Sequence, residues 1–205
     1  MGWDGRVTRL YVSKYGGNDT NDGLTESNPL RTIRAAVHKF EKLSDENKLV
    51  IIAPGSYDEN VSIRRFREGK IILQALDKNN PPIVDSLQCE ECETVEISNL
   101  NISEKNSVGL VLSHCESVLV ESLIIRSTKQ GITIDECDRV KISRCRISNA
   151  INLGVTIADS TVRMILSSVK DAAIGIVSNT SIFFSRENDI TCAQKYQSNG
   201  SHIIE

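Results

Sequence analysis

Apolar and polar residues alternate along most of this chain in short bursts, and the bursts recur in register. Four stretches align without gaps: Cys92-Glu-Thr-Val-Glu-Ile-Ser98, Cys115-Glu-Ser-Val-Leu-Val-Glu121, Cys137-Asp-Arg-Val-Lys-Ile-Ser143 and Asp159-Ser-Thr-Val-Arg-Met-Ile165. A fifth, Asn179-Thr-Ser-Ile-Phe-Phe-Ser185, follows the same pattern, and successive copies start 23, 22, 22 and 20 residues apart. A glycine precedes each of the last four copies, at Gly109, Gly131, Gly154 and Gly175. Self-similarity at this period marks a solenoid, in which no repeat buries its apolar face without its neighbours. Alternation predicts that Val95/Ile97, Val118/Val120, Val140/Ile142, Val162/Met164 and Ile182/Phe184 point inward. A second inward set is Leu100/Ile102, Leu123/Ile125 and Ile147. A third follows each glycine: Leu110/Leu112, Ile132/Ile134, Val155/Ile157 and Ile176. Three short strands per repeat describe an all-β, single-stranded parallel β-helix of about six to seven coils. The Leu-x-x-Leu-x-Leu-x-x-Asn pattern of a leucine-rich repeat is absent.

The first part of the chain reads differently. Val7 to Ser13 predicts a strand, and Lys14 to Gly23 is dense in turn formers. Ile33, Ala36, Val37, Phe40 and Leu43 form one apolar stripe at helical spacing, so a helix is expected from Leu30 to about Leu43. Asn28 suits its N-cap and Pro29 its first position. The stripe needs a partner, and the open end of the solenoid supplies one. Leu49–Ala53, Asn60–Ile63 and Lys70–Ala75 predict further strands, with a turn at Pro54 to Tyr57. No linker or composition break interrupts the chain. It reads as one domain over 1–205, with the N-terminal strand, loop and capping helix in 1–48 and the coils in 49–205.

Two N-terminal stretches extend the picture. One is Tyr11-Val-Ser13 with Gly17 to Gly23 and Asn28-Pro-Leu-Arg-Thr-Ile-Arg-Ala-Ala-Val37. The other is Val50-Ile-Ile-Ala-Pro-Gly-Ser-Tyr57 with Glu59-Asn-Val-Ser-Ile63. On these residues the chain resembles the pectin-lyase-like superfamily of right-handed parallel β-helices, and its first half is similar to pectin methylesterases. The resemblance implies a right-handed coil with an N-terminal capping α-helix. It carries no catalytic residue across. The Gln, two Asp and Arg expected in the esterase's later motifs are missing. Neither a lyase set of Asp ligands with an Arg base nor the Asn-Thr-Asp, Asp-Asp and Gly-His-Gly motifs of polygalacturonases is found. The superfamily holds enzymes, viral tail proteins and non-enzymatic scaffolds alike.

Composition narrows the partners. Lys and Arg number 24 against 27 Asp and Glu, a net charge of -3, and the densest basic run is only Arg64-Arg65-Phe66-Arg67. Nucleic acid is therefore not expected. The longest apolar run, Leu49 to Ala53, is far short of a membrane span, so no membrane partner is expected either. Met1-Gly-Trp-Asp-Gly-Arg6 has no signal-peptide character, and Arg6 stands where a myristoylation motif wants Ser or Thr. A cytoplasmic or virion location fits this reading. Cys92, Cys115 and Cys137 share one repeat position, which argues for stacked core thiols rather than disulfides.

Candidate chemistry is thin. Sugar hydrolysis needs carboxylates converging on one face. Glu116, Asp138, Asp159 and Asp135-Glu136 are candidates, but each also suits a solvated turn. Asp19-Thr-Asn-Asp22-Gly23 misses the spacing of a calcium loop and fits a turn held by Asx side chains. Cys89-Glu-Glu-Cys92 has zinc-like spacing without a second pair. His38, His114 and His202 pair with no nucleophile. No catalytic, cofactor or metal residue is assigned, and no cofactor is expected. Aromatic residues make up 4% of the chain, with Trp3 the sole tryptophan, which weighs against a sugar groove. Leu119 and Phe183 align with Glu96, Lys141 and Arg163 and so are expected outside. Each reads equally as a protein contact or as an ordinary isolated apolar side chain.

The end, Tyr196 to Glu205, reads as the start of another coil, whose unpaired edge favours association. A protein interface is therefore expected around Leu119, Phe183, Phe184, Ile203 and Ile204. The function read from these features is a non-catalytic structural or interaction module of a larger assembly, a virion or tail component or a cytosolic scaffold subunit. It would dock a protein partner or a second copy through its last coil or a flank. The alternatives are a carbohydrate-active enzyme, lyase- or esterase-like, and a glycan-binding module.

Overall fold

The computed structural model describes residues 7–41, 47–104 and 107–205. Met1 to Arg6, including Trp3, and Leu43 of the expected helical stripe lie outside the described residues. The chain winds as a right-handed parallel solenoid around one apolar axis. Nine strands stack on its first face in the order Val7–Val12, Asn47–Ile52, Lys70–Ala75, Thr94–Ser98, Ser117–Glu121, Arg139–Ser143, Thr161–Ile165, Ile182–Arg186 and His202–Ile204. The second face stacks short strands such as Ile124–Arg126 and Arg146–Ser148. The third stacks longer ones such as Val108–Ser113, Gln130–Asp135 and Leu153–Ala158. All pairings are parallel, and from Thr94–Ser98 to Thr161–Ile165 the first-face strands stack in register, so each apolar pair of one coil lands on that of the next. Val95, Ile97, Val118, Val120, Val140, Ile142, Val162 and Met164 are all buried, as their alternation requires.

Corners are made by single residues in the left-handed region. Glu91, His114, Glu136, Asp159 and Thr180 occupy one corner, with φ between 45° and 52°. Asn99, Ser122, Arg144, Leu166 and Glu187 occupy the next. Such a residue turns the chain while its N–H still donates to the following coil, as His114 does to the Asp135 carbonyl at 3.0 Å. The backbone ladder thus survives each bend.

The residue after each corner points inward, and where it is Cys or Ser in these columns it caps the turn. The Cys92, Cys115 and Cys137 thiols donate to the carbonyls two residues back at 3.4, 3.3 and 3.4 Å. The Cys115 thiol also touches those of Cys92 and Cys137, so the three form the expected column. Serine continues it. Ser160 and Ser181 make the same bond, and the Cys137 N–H donates to Ser160 Oγ at 2.9 Å. A second column, Cys145, Ser167 and Asn188, runs along the next corner. All six cysteines are free thiols. Burial pushes the Cys145 thiol up to about 11 and that of Cys89 higher still, so both stay protonated at neutral pH.

Two expectations are corrected. The ladder position of the fourth repeat is Ser160, not Asp159, because this turn is one residue shorter before its strand. The fifth repeat is displaced too, because it follows the fourth after 21 residues, with its corner at Thr180 and not at Asn179. Phe183, not Ile182, lies over Val162, and Phe184 lies over Arg163. A slip of one residue exchanges inside and outside. Phe183 is therefore fully buried, and Ile182 is 42% exposed.

The helix also starts later than Asn28-Pro29 suggests. It spans Ile33–Phe40, with Thr32 as N-cap, extended at φ -120° and accepting from the Ala35 N–H. Leu30 instead bridges Val12, and its N–H donates to the Tyr11 carbonyl at 2.8 Å. The turn expected at Pro54 to Tyr57 gives way at Ser56 to a strand, Ser56–Arg64.

Candidate functional site

On the first face, register alone sets the outward columns. One of them reads Glu96, Leu119, Lys141, Arg163, Phe184, Ile204 along the solenoid axis. Leu119, Phe184 and Ile204, three of the five residues expected at an interface, therefore share one column although they lie far apart in sequence. The other two do not join them. Phe183 faces the core against Tyr196, with ring centroids 6.5 Å apart at 63°, and Ile203, in the last strand, is half-buried against the core. Alternation forbids neighbours in one strand from sharing a face, so Phe183 and Ile203 are the inward partners of Phe184 and Ile204.

The column sits in two adjoining shallow depressions of about 620 and 550 Å³, which share Lys141, Arg163 and Phe184. The Arg163 guanidinium lies over the Phe184 ring at 5.6 Å from its centroid. Among the described residues, neither Lys141 nor Arg163 forms an ion pair. The acids around them are taken by other cations: Glu96 by Lys70 at 2.6 Å, Glu121 by Arg144, Glu187 by Arg186 at 3.1 Å and Glu205 by Lys195 at 3.3 Å. The face thus presents two stacked cations between apolar side chains. Composition and alternation did not single out Lys141 and Arg163, because a lone outward cation is unremarkable. The signal was that two of them fall on consecutive rungs.

The carboxylate candidates do not converge. Glu116, Glu136, Asp138 and Asp159 are exposed at corners. Glu136 meets His114 Nε2 at 3.2 Å, and Asp159 accepts from the Thr180 hydroxyl. Asp19 and Asp22 are bound within the polypeptide. Asp19 accepts from the Arg31 and Thr32 N–H groups, each at 2.9 Å, and Asp22 from the Leu24 N–H at 2.9 Å and the Asn28 amide at 3.0 Å. This is the Asx-held turn that the sequence suggests. Cys89 and Cys92 are both buried, and among the described residues no group of three or more His, Cys, Asp or Glu side chains could hold a metal.

Two residues of the N-terminal resemblance have structural roles that pattern reading missed. The Glu59 carboxylate is buried and accepts from the Ile33 and Arg34 N–H groups at 3.0 and 2.9 Å, supplying the anion that the helix N-terminus wants. The fully buried Tyr57 hydroxyl donates to the Ala53 carbonyl at 3.0 Å and accepts from the Lys14 N–H at 3.1 Å. Glu59 lies 26 residues from the helix it caps, so no local pattern announces it.

No curated protein sequence matches the chain. Among solved structures it is similar to a GH136 lacto-N-biosidase from Eubacterium ramulus, at 10% identity and a TM-score of 0.38, over 96% of this chain and 67% of that one. It is also similar to pectate lyase Pel9A, at 12% identity and a TM-score of 0.45, over 98% of this chain and 78% of that one. Neither likeness bears on what this chain does. Residues 63–192, the stacked coils and their corner ladders, match the family model described as "Right handed beta helix region", and the chain belongs to that family.

Proposed function

We propose that this protein is a non-catalytic interaction module of a larger assembly, a virion or tail component or a scaffold subunit, docking through the first face and its continuation onto the last coil. The observation that carries the reading is the outward column Leu119, Lys141, Arg163, Phe184, Ile204. It gathers apolar and cationic side chains on a rigid sheet, while the acids of the corners stay dispersed. Interfaces favour such aromatic and Arg anchors over scattered surface charge. The last coil adds partly exposed apolar residues, Ile190, Tyr196 and Ile203, against the core.

A carbohydrate-active or glycan-binding reading draws on the same face, since a ring beside two cations suits an acidic sugar. The single ring of Phe184 in the depressions is a poor platform for a longer glycan.

The two readings separate in solution. The protein is incubated with polygalacturonate and with methylated pectin, and unsaturated products and acid release are followed. No turnover is expected, and turnover of either substrate overturns the proposal. Light scattering after size exclusion then compares the wild type with Phe184→Asp, alone and in mixtures with candidate assembly proteins. A complex or self-association that the substitution weakens supports the module. A wild type that stays a monomer in every mixture counts against it.

A further inference from the structure

We propose that the column Leu119, Lys141, Arg163, Phe184 seats an extended acidic segment of a partner protein, with an apolar residue, a carboxylate and a second apolar residue at alternate positions. This deepens the interaction-module reading and rests on it.

Charge comes first. Lys141 and Arg163 stand in register on adjacent rungs, about 4.8 Å apart along the axis, so two like charges face the same solvent. Like charges directly opposite each other in a sheet oppose folding, and a shared carboxylate would reverse the sign of that contact. The local acids cannot serve, because Glu121, Glu187 and Glu205 are each held by another cation. Arg163 is already positioned, since its guanidinium rests over the Phe184 ring while the residue lines both depressions.

Spacing comes second. Leu119 and Phe184 bracket the two cations three rungs apart, about 14 Å at 4.8 Å per rung. An extended chain advances about 3.4 Å per residue, so residues four apart are also separated by about 14 Å, and the residue midway between them points the same way. One chain laid along the axis therefore sets two apolar side chains on Leu119 and Phe184 and a carboxylate between Lys141 and Arg163. The depressions are open troughs that continue toward Ile204, so the segment need not end there.

A nucleic acid would need a broader basic surface, and an acidic oligosaccharide would leave Leu119 without an apolar partner. The acidic oligosaccharide enters the test as a competitor.

The probe is a fluorescein-labelled peptide with leucine, glutamate and phenylalanine at alternate positions, followed by anisotropy against the full chain. Glutamine and lysine replace the glutamate in two control peptides. The glutamate peptide should bind about tenfold or more tightly than the glutamine peptide, and its binding should weaken with salt. Arg163→Glu should weaken it by a similar factor, and Lys141→Glu/Arg163→Glu should prefer the lysine peptide. Phe184→Ala should weaken all peptides, and the glutamate peptide most, because it also frees the Arg163 guanidinium. Melting midpoints near the wild type's show that the variants remain folded, as substitutions outside the core allow.

Equal binding of the glutamate and glutamine peptides, or no swap of preference in the double variant, overturns the proposal. So does displacement of the peptide by a tenfold lower concentration of oligogalacturonate. Those results leave the interaction-module reading standing, whereas pectic turnover sinks both.

Discussion

Tyr57 shows how much one side chain in the first coil holds. Its ring is fully buried, and its hydroxyl joins Lys14, which follows the first strand, to Ala53, which follows the second. Tyr57→Phe keeps the ring and removes both bonds, so it should cost about 1–3 kcal/mol by urea denaturation at pH 7. Burial foremost pushes the phenol up to about 12, whereas an unfolded tyrosine titrates near 10. The folded chain therefore holds this proton more tightly than the unfolded one. The resulting stability is fully present below about pH 10 and is lost as pH rises toward 12, on the order of 2 kcal/mol. The wild-type advantage over Tyr57→Phe should shrink across that window, and a gap that stays constant from pH 9 to 12 would refute the assignment. Leu166 is the opposite case. It holds a corner at φ 50° and is 51% exposed, so its side chain adds backbone strain and little packing. Leu166→Asn should raise stability by about 0.5–1 kcal/mol, read as a higher melting midpoint, because Asn enters the left-handed region more easily.

At the scale of elements, close approach decides more than propensity. The third-face glycines do not sit at positive φ; at these positions the next coil leaves no room for a Cβ. A Cβ on Gly131 would lie 2.3 Å from the Gly154 carbonyl oxygen and 2.6 Å from Ile147 Cγ2. Gly131→Ala should cost about 2–3 kcal/mol as overpacking, a loss to be checked by the denaturation midpoint. The helix is set from a distance in the same way. Glu59→Ala would orphan the Ile33 and Arg34 N–H groups and should cost about 2–3 kcal/mol, with Glu59→Gln recovering part of it. These contacts explain what the sequence made legible. The inward strand pairs and the cysteine column were readable because alternation and period are local and repeated. The helix start, the Glu59 cap and the fifth repeat were not. Asn28-Pro29 carries a start signal, but Leu30 is drawn to Val12 instead. Phe183 and Phe184 are both aromatic, so composition could not tell inside from outside when the repeat spacing changed by one residue. The interface column was half legible, since each apolar member stood out while the stacked cations between them did not.

For the whole molecule, the solenoid makes stability a matter of neighbours. Each coil contacts the coils beside it, and its resistance to opening reflects how well both sides are covered. The two ends of the described column are not alike. At the first, the helix covers the axis with Ile33, Ala36, Val37 and Phe40, all buried; Glu59 and Asp19 hold its N-terminus, and Tyr57 ties the first two strands together beneath it. At the last, the strands Gln194–Asn199 and His202–Ile204 have no fully buried residue, and only Tyr196 and Ile203 are half-buried. Unravelling should therefore begin at the last coil and proceed one coil at a time toward the helix. In native-state hydrogen exchange, amides of Gln194–Asn199 and His202–Ile204 should exchange fastest, those of Ile182–Arg186 next, and those of Ser117–Glu121 and Arg139–Ser143 slowest. The helix amides and those of Leu10 and Val12 should stay nearly as protected as the central coils. A symmetric profile, with the first strand exchanging as fast as the last, would mean that the cap adds no more than ordinary end fraying. If the acidic segment docks as proposed, it spans the coils from Leu119 to Phe184. Adding it should slow exchange at Ile182–Arg186, while the already protected Thr94–Ser98 changes little.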